Sequence, residues 1–216
     1  MKKTIILVCL ILASVINAQQ IDLKRQKGFK NKKISILDSV NIKNPDFDVL
    51  AVELRILHII WQPKPYNATL WQIKKDKNGR WSGFSHSFFY YNSDTYDFNN
   101  TIIKSFNFKN TWQDSWNNIL YNNYLNLPND KEALKIKCKH LGGGLPPILG
   151  IGGGETYYIE VLTKRVKRRF SFSNPKANYE FYKKEYGTDC QTTEIFKKYI
   201  EFIELLKSEL ENTTTD

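Results

Sequence analysis

The chain has 216 residues, 41% hydrophobic and 25% charged, with 32 Lys and Arg against 22 Asp and Glu for a formal charge of +10. That length and apolar content suffice for one substantial core and exclude a chain that is disordered throughout. Three cysteines are too few for a disulfide-stapled miniature scaffold.

The first eighteen residues read as a secretory leader. Lys2 and Lys3 supply the basic start, Ile5 to Leu12 the apolar run, and a cut after Ala18 would leave Gln19 as the new terminus. The apolar span from Thr4 to Ile16 is 13 residues, short of the ~20 that a bilayer-spanning helix needs. Cys9 sits behind Val8 in mid-run, where a lipid-attachment signal wants a small residue. Removing the leader lowers the formal charge to +8 and takes Cys9 with it. Cys138 and Cys190 then remain as an even pair, which in an oxidising compartment is a disulfide candidate; two separate buried thiols are the alternative. Residues 19–48 are expected to be poorly ordered, and six of the ten positions from Lys24 to Lys33 are basic.

From Leu50 to Ile60 the even positions Leu50, Val52, Leu54, Ile56, His58 and Ile60 alternate with odd ones that include Glu53 and Arg55, the pattern of a strand with one apolar face. Downstream, Asn78-Gly79 marks a hairpin. A two-residue loop there pairs Ile73 with Phe84, Trp71 with His86 and Thr69 with Phe88, collecting the apolar residues on one side; a three-residue loop puts Trp71 opposite Ser85. A turn near Lys64-Pro65 would bring His58 beside Trp71, giving a row His58, Trp71, His86. Thr111 with Asp114 caps a helix carrying Trp112, Trp116, Ile119 and Leu120, bounded by Pro128. Ala133 to Cys138 alternates as a further strand, with Leu134, Ile136 and Cys138 inward.

The glycine- and proline-rich stretch Gly142–Gly154 precedes a second hairpin. Centring its turn on Lys164-Arg165 pairs Ile159 with Phe170, Tyr157 with Phe172, and Glu160 with Arg169 on the opposite, solvated face. A short helix around Tyr179–Tyr186 follows. The segment Thr193–Leu210 recurs at helical spacing, and Glu211–Asp216 should fray. The expected fold is α+β, an antiparallel sheet of about six strands with one face covered by two or three helices. A single domain is expected over residues 49–211, with Cys190 tethering the last helix at Cys138.

A phosphate loop needs a helix after its glycines, but Gly154 runs into strand-like ETYYIEVL, so Gly142–Gly154 reads as a connector. His58 and His86 in one row, two strand spacings apart, would be on the order of 10 Å from each other, too far to share an ion. No metal site or cofactor is expected. Glu53, Glu155 and Glu160 are the carboxylates from which a glycosidase-type pair would be drawn. The five basic residues Lys164, Arg165, Lys167, Arg168 and Arg169, with His140 beside the glycines, are the binding candidates. For an exported protein, acidic envelope polymers or lipid phosphates are more natural targets than nucleic acid.

In LRILHIIW, the aromatic hairpin, TWQDSWNNILYNNYLNLPND and the closing YIEVLTKRVKRRFSFSNP through IFKKYIEFIELL, the chain resembles a group of small exported bacterial proteins of unknown function. The resemblance implies an α+β domain and no catalytic residue. The function expected is a non-catalytic binding module of the cell envelope, in the periplasm, on the outer-membrane surface or secreted. Its partner would be an anionic envelope polymer or an envelope protein. Two alternatives stand beside it. One is a small hydrolase with a site next to the Gly142–Gly154 loop, near His140 and Glu155. The other is a periplasmic inhibitor or immunity-type protein that uses the loop as a plug.

Overall fold

The computed structural model describes residues 45–61, 65–92, 95–106, 108, 110–136 and 153–210. Six strands form one antiparallel sheet: β1 Leu50–Ile60, β2 Tyr66–Asp76, β3 Trp81–Asn92, β4 Thr95–Ser105, β5 Glu155–Thr163 and β6 Lys167–Ser173. Their order is β4-β3-β2-β1-β5-β6, so β1 is central and is reached from β5 only after a long excursion of the chain. The helices are α1 Trp112–Tyr121, α2 Asp130–Ala133, α3 Pro175–Tyr186 and α4 Gln191–Leu210, with a 3-10 turn at Tyr124–Asn126. This is the expected α+β architecture of an antiparallel sheet with helices on one face. No helix among the described residues is long and apolar enough to cross a membrane.

The helix-covered face carries the larger core. Val52, Leu54, Ile56, Ile73, Tyr157, Ile159, Val161, Phe170 and Phe172 meet Trp116, Ile119, Phe196, Tyr199, Phe202 and Leu206 from the helices. Ring stacking fixes the contact, with Phe172 and Tyr199 4.2 Å apart and 7° from parallel, and Tyr182 and Phe196 5.4 Å apart. The Tyr199 hydroxyl donates to Pro128 O at 2.7 Å, and burial pushes its pKa well up. Thr111 caps α1 as its sequence predicts, its hydroxyl accepting from Asp114 N. At the far end of α4, Glu209 accepts from the backbone and side-chain amides of Asn110, tying the last helix to the start of α1.

The β5–β6 register puts Ile159 opposite Phe170, Tyr157 opposite Phe172 and Glu160 opposite Arg169, as expected. The β2–β3 register differs. Trp71 lies opposite Ser85, Ile73 opposite Gly83, and Leu70 opposite His86. The loop is the three-residue Lys77-Asn78-Gly79, with Gly79 at φ +84. Asp76 closes it: its N donates to Arg80 O, and its carboxylate accepts from the backbone N and Nε of Arg80. A turn ending in a left-handed glycine is the ordinary three-residue solution. The slip by one residue sends Phe84, His86 and Phe88 to the face opposite Trp71 and Ile73. It also brings Gly83 under α1, where Phe106 and Trp112 lie so close that a Cβ would fall 2.3 Å from the Trp112 ring.

The β1–β2 register places His58 opposite Thr69 and Ile56 opposite Trp71, a shift of two that keeps each side chain on its predicted face. The strand expected over Ala133–Cys138 is absent where it is described: Asp130–Ala133 is helical and Leu134-Lys135 a turn. The reason is a capping box, Asn129 Oδ1 accepting from Glu132 N while Glu132 reaches back to Asn129 N. Residues 137 and 138 of that expected strand lie outside the described residues. The sixth strand is instead β4. The helix expected at Tyr179–Tyr186 begins earlier, with Pro175 at its first turn.

Candidate functional site

Opposite the helices, the sheet carries a second small apolar cluster of Leu57, Ile59, Ala68, Leu70 and Phe88, and beside it a row of polar groups. Neighbouring strands place Arg169, Glu160, Arg55 and Gln72 in one register line across β6, β5, β1 and β2. Arg55 donates from Nε to Glu53 Oε1 at 2.6 Å and from Nη1 to Glu160 Oε2 at 3.2 Å. The other oxygen of Glu160 accepts from Arg169 Nε, with Lys167 Nζ at 3.1 Å. Gln72 Nε2 donates to Glu53 at 3.0 Å. Its Oε1 is left to accept, so the 2.9 Å contact with His86 Nε2 has the imidazole as donor. Burial, helped by Lys74, holds His86 below its usual pKa, consistent with a neutral ring.

The Glu160–Arg169 pair predicted for a solvated face is therefore in the interior: Glu160 is 0% exposed and Arg169 6%. Glu53 and Arg55 are buried beside it. Two carboxylates and two guanidiniums balance within the buried row, and each carboxylate accepts several bonds, the condition for burying ions without a large penalty. Of the three candidate carboxylates, the fold brings Glu53 and Glu160 together, with Arg55 between them. Glu155 is elsewhere.

Glu155 opens β5 on the helix-covered face, where His58 Nε2 donates to its Oε2 at 3.0 Å and Tyr157 OH at 2.7 Å. The His58 hydrogen bond, then that of Tyr157 and the nearby Lys207, hold Glu155 below the usual carboxylate range against the opposing cost of burial. The His58 ring is packed against Tyr157 at 4.4 Å, nearly parallel, and less closely against Trp71 at 6.1 Å. His58 and His86 thus belong to opposite faces, and the row of two histidines around Trp71 does not form; the one-residue slip of β3 is the cause. Among the described residues, no group of three or more His, Cys, Asp and Glu is placed to hold a metal ion.

The same corner is fastened by backbone. Trp61 N donates to Gly154 O at 2.8 Å, Asn174 Oδ1 accepts from Glu155 N at 2.8 Å, and Asn174 Nδ2 donates to Gly153 O at 3.1 Å. Trp61 Nε1 donates to Thr156 Oγ1, which in turn meets Ser173 Oγ. Gly153 and Gly154 are the described end of the Gly142–Gly154 stretch; the rest of it, with His140 and Cys138, lies outside the described residues.

Neither known family models nor curated proteins match this chain.

The five basic candidates of the β5–β6 hairpin divide. Arg168 faces the helices, is 5% exposed and donates from Nε to Leu125 O and from Nη2 to Leu127 O. Arg169 is bound to Glu160. The sequence pairs Arg169 with Glu160 on a face expected to be solvated, and that face is buried; strand alternation and the Leu125 and Leu127 carbonyls account for Arg168. Lys164, Arg165 and Lys167 are exposed, Lys164 with Asp48 Oδ1 at 3.8 Å and Lys167 with the buried Glu160 Oε1 at 3.1 Å. Thr163 shapes their turn, its Oγ1 accepting from Arg165 N and Val166 N.

Proposed function

We propose that the protein is an exported, non-catalytic binding module that holds anionic envelope polymer through the β5–β6 turn. The observation that carries the reading is the division just described. Arg168 and Arg169 clamp the hairpin from within, Lys164 and Arg165 project from a turn whose backbone is fixed by Thr163, and Lys167 at the start of β6 is exposed but paired with Glu160. Two outward cations on a short rigid turn with Lys167 beside them, in a chain whose formal charge is +8 once the leader is removed, concentrate positive potential where a polyanion can reach it.

The test is retention on phosphocellulose. Reversing Lys164 and Arg165 to Glu, with Lys167 left in place beside Glu160, should lower affinity by about tenfold or more at ~0.1 M salt, with the difference fading as salt rises. Unchanged elution overturns the reading. Arg168 and Arg169 are left intact because their replacement would unfold the hairpin rather than probe binding.

Export and a Cys138–Cys190 disulfide are part of the same proposal. The leader-like first eighteen residues support the former. For the latter, Cys190 is 1% exposed, and Thr192 Oγ1 donates to Ala133 O at 3.1 Å, with Ile136 O at 3.5 Å. The start of α4 is therefore held against a segment that ends two residues before Cys138. Non-reducing mass measurement of protein recovered from its native host should give a chain beginning at Gln19 and lighter by one hydrogen molecule than its reduced form. A mass that reduction leaves unchanged rejects the disulfide.

A further inference from the structure

On the face of the sheet away from the helices, Leu57, Ile59, Leu70 and Glu160 are 0% exposed, and Arg55 and Arg169 no more than 6%. Neighbouring strands close a side chain off only from the side; closing it from above takes a second layer about 10 Å away. No described helix supplies that layer: the apolar cluster there consists of strand residues, with Trp61, Tyr66 and Tyr158 packed against it, and the helix side chains belong to the other core. We propose that the layer is the segment Ile34–Ile42 of the same chain, laid along β1 from its Leu50 end. The segment lies outside the described residues, within the stretch expected to be poorly ordered. The inference does not rest on the binding reading of the β5–β6 turn.

Charge selects the occupant. The row on this face sets three cations, Arg55, Arg169 and the half-exposed Lys167, against two carboxylates, Glu53 and Glu160. Arg55 and Arg169 each make a further interaction beyond their bonds to Glu53 and Glu160, as a buried guanidinium with its fork of N–H donors requires. Between Ile34 and Ile42 the one charged residue is Asp38, and its carboxylate balances the row. Ile34, Ile36, Asp38, Val40 and Ile42 stand at every second position, so an extended chain turns the acid and its four apolar neighbours to one side. The reach is sufficient. Before β1 the chain makes a turn in which Asp46 O accepts from Val49 N and Leu50 N, and Val49 O accepts from Lys77 N. Asp38 is seven residues before Pro45, about 23 Å of extended chain, against about 17 Å from Leu50 to Arg55. Ile34 and Ile36 then extend over Leu57 and Ile59. The chain's other candidates fit less well. Residues 137–152 start from the helix side, where Ile136 O lies 3.5 Å from Thr192 Oγ1, and contain no acid to meet the surplus cation. The tail from Glu211 to Asp216 has no apolar side chain.

The experiment is photo-crosslinking in the full chain, with p-benzoylphenylalanine in place of Ile36 in one preparation and of Ile148 in another. After irradiation and digestion, the group at position 36 should be joined to peptides of β1, β2 or β5 within the same molecule, and the group at position 148 should not. The charge match is read separately by urea unfolding: Asp38→Asn should lower the midpoint clearly, while Asp22→Asn, an acid outside the segment, should leave it in place. Three crosslinking results overturn the proposal. Position 36 joined only to α1–α4 puts the segment on the other face. Position 36 joined only to a second molecule makes another copy the cover. Sheet crosslinks from position 148 with none from position 36 give that role to residues 137–152. Equal midpoints for Asp38→Asn and Asp22→Asn overturn it as well.

Discussion

Gly154→Ala is expected to cost about 3 kcal/mol of stability or more, although it adds one methyl group. Gly154 sits at φ +88, and a Cβ there would fall 1.9 Å from Asn174 Oδ1. A left-handed conformation alone costs an L residue about 1–2 kcal/mol. Relieving the clash means moving Asn174, whose side chain accepts from Glu155 N and donates to Gly153 O, and whose own N donates to Glu155 O. Each hydrogen bond lost is worth about 1 kcal/mol, and the Trp61 bond to Gly154 O is strained with them. Gly79 is the control. It has nearly the same φ, +84, with nothing within 4 Å of an added Cβ, so Gly79→Ala should cost only about 1–2 kcal/mol. Urea unfolding of the two variants measures the contrast; equal losses would show that the Asn174 clamp contributes nothing.

Glu160→Ala should be as damaging for an electrostatic reason. Removing the carboxylate leaves Arg55 and Arg169 buried without their shared counterion, and breaking a buried pair from one side costs about 3–5 kcal/mol. Lys167→Gln removes a partner of the same carboxylate, but the lysine side chain is 45% exposed, and its loss should cost less than about 1 kcal/mol. Replacing Glu160, Arg55 and Arg169 together by apolar residues of similar volume should recover most of the stability lost in Glu160→Ala. The midpoint of urea unfolding at unchanged m-value reads all three. A Glu160→Ala protein as stable as wild type would mean that the row is hydrated.

Much of the fold was legible. The alternation over Leu50–Ile60, the Lys164-Arg165 turn, the Thr111 cap and the stripe of the last helix each carry a local signal that tertiary packing reinforces. The failures share a cause, the assumption that only one face of the sheet is dry. Under that assumption the two-residue loop collects the most apolar pairs, whereas in the molecule both faces are buried and Phe84, His86 and Phe88 belong with Leu70 and Ala68. β4 was missed because Thr95–Ser105 has Asp97, Asn99 and Asn100 in its middle and no clear period of two. The expected strand at Ala133 was too short a run to outweigh the Asn129 and Glu132 box, which stands in the sequence and signals a helix start. Pro175 signals the start of α3 through its fixed φ, while the Asn174 side chain is turned to Glu155 N and Gly153 O in place of a cap. For the site, Glu53 and Arg55 read as solvated charge because their partners, Gln72 and Glu160, are fixed by strand order. Gly154 was legible as a glycine but not as a clamp, since Asn174 lies twenty residues on.

The central strand has its own consequence for assembly. β1, β2, β3 and β4 follow one another directly, but the other edge of β1 stays open until β5 arrives, and the Arg55–Glu160 contact spans 105 positions. Loop closure over that distance is slow, and an open apolar edge is a template for the wrong strand. A desolvated guanidinium at the midpoint of that edge penalises an intruder that lacks a carboxylate at the matching height. Arg55 therefore favours a strand that brings a carboxylate to the matching height, as Glu160 does within Glu155–Thr163.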